Sequence, residues 1–90
     1  MLQNAGMTFE FDHLKSSSNK EKHGIDFDEA QHLWLDPERT IIPARTLLET
    51  RYLMIARLHG IHWSAIYTMR ESVIRIISVR KSRDNEPLMS

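Results

Sequence analysis

Residues 50–80, TRYLMIARLHGIHWSAIYTMRESVIRIISVR, decide the fold, because polar and apolar positions alternate through three consecutive runs. Residues 50–58 set Arg51, Leu53, Ile55 and Arg57 against Tyr52, Met54, Ala56 and Leu58. His59-Gly60 reads as a tight turn. Residues 61–70 set Ile61, Trp63, Ala65, Tyr67 and Met69 against His62, Ser64, Ile66, Thr68 and Arg70. After Glu71-Ser72, residues 73–80 set Val73, Arg75, Ile77 and Val79 against Ile74, Ile76, Ser78 and Arg80. Connections this short fit only antiparallel neighbours, since parallel strands need crossovers of about a dozen residues or more.

Working outward, residues 39–46 (RTIIPART) extend this meander to four strands. Pro43 cannot donate to a ladder, which places its strand at an edge or a bulge. Upstream the period changes to that of helices. Asp26 is a natural N-cap, and Glu29 three residues on completes a capping box, with Ile25 and Ala30 at the staple positions. Phe27, Ala30, Leu33 and Trp34 form a buried stripe, and Asp36-Pro37 stops the helix. An earlier helix starts on the cap Asp12 and runs to about His23, ending in Lys22, His23 and Gly24. Before it, residues 7–11 (MTFEF) alternate as a short strand with Phe9 on one side and Thr8 and Glu10 on the other. The expected architecture is α+β, with a short N-terminal strand, two helices and a four-strand antiparallel meander.

Ninety residues, 41% hydrophobic and 27% charged, make one domain at 1–90 with a modest core, 1–6 and 84–90 being its loose ends. No apolar run reaches the roughly 18 residues of a membrane span, and no signal peptide is visible, so a cytoplasmic protein is expected. The absence of cysteine excludes disulfides, a thiolate zinc site and a thiol nucleophile. There is no Gly-rich phosphate loop and no nucleophile elbow. His59 and His62 lack an obvious third ligand, so no metal and no cofactor is expected.

The formal net charge of zero hides segregation. Residues 1–38 carry eight acids against three lysines, residues 39–83 carry nine bases against Glu49 and Glu71, and the tail adds Asp84 and Glu86. The basic half either meets an anionic partner or is neutralised by the acidic helices. Arg51, Arg57, Arg70, Arg75 and Arg80 all fall in strands, and planar guanidinium groups suit bidentate contact with phosphate. A solvated sheet face that discourages edge pairing is the plainer reading of the same residues. Lys22-His23 stands at a helix end, where a histidine either complements the helix dipole or exchanges protons near neutral pH. Tyr52, Trp63 and Tyr67 can stack on bases or pack in the core, and the core is the expectation for Trp63.

Several of these residues also carry a likeness. The series FEFD, then Asn19, Lys22-His23-Gly24-Ile25-Asp26-Phe27, Glu29-Ala30 and Asp36-Pro37 resembles the opening of BrnT-type toxins. Glu49-x-Arg51, Ala65-Ile66-Tyr67-Thr68-x-Arg70 and Ile74-Arg75-Ile76-Ile77-Ser78-Val79-Arg80-Lys81 continue the likeness, which covers about residues 7 to 86. It departs at Ala56, Val79 and Ser82, where the family's usual residues are Gly, Ala and Ala.

The resemblance implies a RelE-like fold and a ribonuclease toxin of a type II toxin–antitoxin pair. Its partner would be a small DNA-binding antitoxin encoded nearby, and its substrate RNA. Metal-free cleavage would then rest on His23 as general base or acid with Lys22 in support. Arg51, Arg75 and Arg80 would hold the phosphate, and Tyr67 would stack or donate a proton. Met54, Met69, Leu88 and Met89 suit a partner helix, and the free chain is expected to form a weak homodimer or to be poorly soluble. The rival expectation is a non-catalytic module that binds RNA or an acidic protein segment through the Arg-rich sheet.

Overall fold

The computed structural model describes residues 6–45 and 48–83. The expectations for residues 1–5 and for the tail from 84 on, Leu88 and Met89 included, lie outside the described residues.

The chain forms β1 (Thr8–Glu10), α1 (His13–His23), α2 (Phe27–Ala30), a 3-10 turn (Gln31–Leu35), β2 (Thr40–Arg45), β3 (Thr50–Leu58), β4 (Ile61–Arg70) and β5 (Val73–Lys81). One five-stranded sheet runs in the order β1-β5-β4-β3-β2. Strands β2 to β5 are the expected antiparallel meander, while β1 lies parallel to β5, reached over the whole intervening chain. The β3–β4 hairpin turns on His59 (φ 54) and Gly60 (φ 78), both left-handed, as a two-residue turn that follows the strand twist demands.

The helix expected from Phe27 to the Asp36-Pro37 stop is in fact two pieces. A single α turn, fixed by the Asp26–Glu29 capping box, tightens to 3-10 geometry from Gln31. The 3-10 eclipse still carries Leu33 and Trp34 inward beside Phe27 and Ala30, and all four are buried. They pack on Met54, Ala56, Trp63, Ala65, Tyr67, Ile74, Ile76 and Val79, which line the inner sheet face. Burying a side chain such as Phe27 or Leu33 contributes about 1.5–3 kcal/mol.

Helix α1 docks differently. Its one large apolar residue, Leu14, is 82% exposed, and the buried face consists of Ser16 and Asn19. Ser16 Oγ accepts from Phe27 N at 2.9 Å. Asn19 Nδ2 donates to the carbonyls of Ile25 and Val79, each at 2.8 Å, and Asn19 Oδ1 accepts from Val79 N at 3.2 Å. β1 pairs with β5 only over Val73–Arg75, so farther along that edge the amide of Asn19 takes the place of a neighbouring strand.

The strict alternation expected for 73–80 fails at one point. Ile66 pairs with Ser78 but Tyr67 pairs with Ile76, so Ile77 is an extra residue in a bulge. Val79 therefore joins Ile74 and Ile76 on the inner face. Arg80 pairs with Ser64, and Ser64 with Ile55, on the outer face. Arg75 pairs with Thr68, and Thr68 with Arg51, on that same face. Five residues apart, Arg75 and Arg80 would point oppositely in a regular strand; the bulge puts them on one side.

Candidate functional site

The end of α1 is set by Gly24, whose φ of 84 allows its N–H to close on Lys20 O at 2.9 Å. This stop leaves Lys22 and His23 in the last turn, beside the far end of β5. There Lys22, His23, Arg80, Lys81 and Arg83 line a depression of about 320 Å³, and none of the five carries a carboxylate. The Arg80 guanidinium donates to Lys81 O at 3.1 Å. The three hydrogen bonds of Asn19 hold this corner together, since they join α1 to Val79, next to Arg80, and to Ile25, next to Gly24. A cluster of permanent cations around an imidazole can hold a phosphate and move a proton beside it.

Of the six residues expected to act together, the structure brings Lys22, His23 and Arg80 into one depression. Arg51 and Arg75 lie in one cross-strand row of the outer face, each on a carboxylate. Arg51 Nε meets Glu49 Oε2 at 3.1 Å, and Arg75 Nη1 meets Glu10 Oε2 at 3.2 Å, with Arg70 at 3.9 Å from the same oxygen. The Arg51 and Arg75 side chains keep 43% and 33% of their surface exposed, so these pairs are solvated and weak. The carboxylates on Arg51 and Arg75 thus come from a loop and the first strand, while Glu29 of the helical segment pairs with Lys20 of α1.

Tyr67 is placed elsewhere. Its ring packs on Tyr52 (centroids 5.2 Å, planes 22° apart) and edge-on to Trp34 at 5.2 Å, on the inner face. Burial, with Tyr52 beside it, pushes the Tyr67 hydroxyl up from its ordinary pKa. Trp63 is buried as expected. Tyr52 and Tyr67 thus stack on each other against the core.

A second cavity, of about 200 Å³, was not anticipated in the sequence. Ile25, Leu58, Ile61 and Trp63 give it apolar walls, and Glu29, His32 and His59 supply polar groups. Glu29 Oε1 accepts from both Lys20 Nζ at 2.8 Å and Asp26 N at 3.0 Å, which hold the carboxyl below its usual range. His32 Nδ1 lies 3.1 Å from Glu29 O. The sequence did carry a signal: a histidine in a tight turn is unusual where Asn or Gly is the easy choice, and His59 is that residue. His62, three residues on, lines a different cavity with Asp36 and Arg57, so the two histidines do not act as a pair.

Among curated proteins no match is found. A family model described as the ribonuclease toxin BrnT of type II toxin–antitoxin systems matches residues 11–86, which include every residue of the cationic depression and of the cavity beside it, and the chain belongs to that family.

Proposed function

We propose that this chain cleaves RNA at the depression formed by Lys22, His23, Arg80, Lys81 and Arg83, without a metal, and that an antitoxin silences it by covering the same surface. The observation that carries this reading is a single imidazole lining one depression with two arginines and two lysines, Arg80, Arg83, Lys22 and Lys81, in a member of a ribonuclease toxin family. In the reaction, a ribose 2′-oxygen attacks the adjacent phosphorus as the bond to the 5′-oxygen breaks. His23 takes the proton from the 2′-hydroxyl or delivers one to the leaving 5′-oxygen, and solvent serves the other position. Arg80, Arg83 and Lys22 hold the charge that builds on the non-bridging oxygens. Arg75 and Arg51 extend the cationic track over the outer face for the flanking phosphates. Tyr67 has no part, being enclosed by Tyr52 and Trp34.

The test is RNA degradation by the purified chain in excess EDTA. His23→Gln is expected to lower the cleavage rate by about 10²-fold or more while RNA binding holds. Arg80→Ala weakens both. Wild-type chain that binds RNA and leaves it intact would support the non-catalytic module instead. Its specific support is that Arg51 and Arg75 already rest on carboxylates, as in a face built for reversible binding.

A further inference from the structure

The cationic depression and the second cavity adjoin along two independent lines. Along the chain, Lys22 and His23 line the first and the next two residues, Gly24 and Ile25, line the second. Across the sheet, Lys81 lines the first and its register partner Trp63 lines the second. A ligand with phosphate in the first therefore has its neighbouring group at the mouth of the second.

That mouth has the chemistry of a base site. Two imidazoles, His32 and His59, line it together with the apolar walls, and both are rings on which a base can stack. Glu29 offers a fixed acceptor. Both of its hydrogen bonds fall on Oε1, and among the described residues none falls on Oε2. An ionised carboxylate oxygen only accepts, so it favours a base edge that carries an amino group over uracil, whose one base donor, N3–H, sits between two carbonyl oxygens that the carboxylate repels.

We propose that this cavity is a nucleobase subsite for the nucleotide whose phosphate sits at His23, and that Glu29 makes it prefer adenine, cytosine or guanine over uracil. The proposal rests on the phosphate reading above and adds to it a determinant of sequence preference. Glu29 also makes it invertible. In Glu29→Gln, Lys20 Nζ and Asp26 N still both need an acceptor at the Oε1 position, so the amide oxygen goes there. The NH₂ then takes the Oε2 position and presents a donor, which suits the carbonyl edge of uracil.

The experiment follows the histidine ring signals of the full chain by NMR during titration with inorganic phosphate and then with AMP, CMP, GMP and UMP. Phosphate is expected to move His23 alone. AMP, CMP and GMP move His32 and His59 as well, and UMP does so about fivefold more weakly, the carbonyl oxygens beside its N3–H opposing the carboxylate by about as much as one hydrogen bond contributes. Glu29→Gln reverses the order of UMP and CMP. His59→Ala, at an exposed turn, weakens the amino-bearing nucleotides and leaves inorganic phosphate unchanged. Phosphate that leaves His23 unmoved overturns the phosphate reading and the subsite with it. If phosphate moves His23 but no nucleotide moves His32 or His59, the subsite alone falls. Unchanged base preference in Glu29→Gln removes Glu29 as its determinant.

Discussion

At the scale of single residues, Asn19 carries more of the structure than its residue type suggests. A helix that turns Ser16 and Asn19 inward gains little from the hydrophobic effect, so its docking depends on hydrogen bonds made in a dry place. Asn19→Ala removes three of them and leaves both the N–H and the carbonyl of Val79 unpaired. Urea unfolding is expected to show a loss of about 3 kcal/mol. Asn19→Asp, which can accept from Val79 N but sets a buried carboxylate oxygen against the carbonyls of Ile25 and Val79, is expected to be no more stable than Ala. Neither partner of Asn19 was legible in the sequence, because a polar residue among three serines looks like a solvated face. The usable signal was negative: α1 has no apolar stripe, so whatever faces the sheet has to be polar.

At the scale of elements, the meander was legible from alternation alone, and the caps on Asp12 and Asp26 from residue type and spacing. Both caps close as expected, with Asp12 Oδ1 accepting from Leu14 N at 2.8 Å and Lys15 N at 3.1 Å. The bulge in β5 was not legible, because VIRIISVR satisfies a period of two under either phase until the partner strand is fixed. Adjacent Ile76 and Ile77 are its only trace. The bulge makes a contrast that strict alternation does not: Ile77 and Val79 would share a face, yet Val79 is fully buried and Ile77 only partly. Val79→Ala is expected to cost about 2 kcal/mol, and Ile77→Ala about 1 kcal/mol or less, in denaturant titrations of the two variants. Equal costs would mean that β5 runs in regular register.

At the scale of the whole molecule, the acidic half braces the fold at particular joints. Asp36 ties the end of the 3-10 turn to β3, accepting from Glu38 N at 2.9 Å and from Arg57 N at 2.8 Å. These bonds, Arg57 N first, hold its carboxyl below the usual range. Asp12 is lowered by the helix N–H groups it caps, and Glu29 by Lys20 and Asp26 N. A carboxyl whose pKa is lower folded than unfolded contributes stability in full above its unfolded value, near pH 4, and loses it as pH falls through the folded value. Thermal stability is therefore expected to be flat with respect to these groups from neutral pH to about pH 5 and to fall below about pH 4. Asp36→Asn should lower the neutral plateau and flatten part of that fall. The candidate site belongs to this scale too. Its cations were visible one by one in the sequence, but which of them meet depends on where α1 stops and how β5 is registered.

The extra residue in β5 has a consequence best put in genetic terms. Once Ile77 is removed, Ile76 opposite Tyr67 and Ser78 opposite Ile66 become ordinary neighbours in an unbroken ladder. An in-frame loss of codon 77 thus leaves Val79 inward and keeps Arg75 and Arg80 on one side. Strand β3 has no such slack, because its pairings with β2 and β4 run without a shift, and a lost codon there turns one flank of the strand inside out. Length variation among descendants of this gene can accumulate at codon 77 without disturbing the arginines, and is purged in the codons of β3.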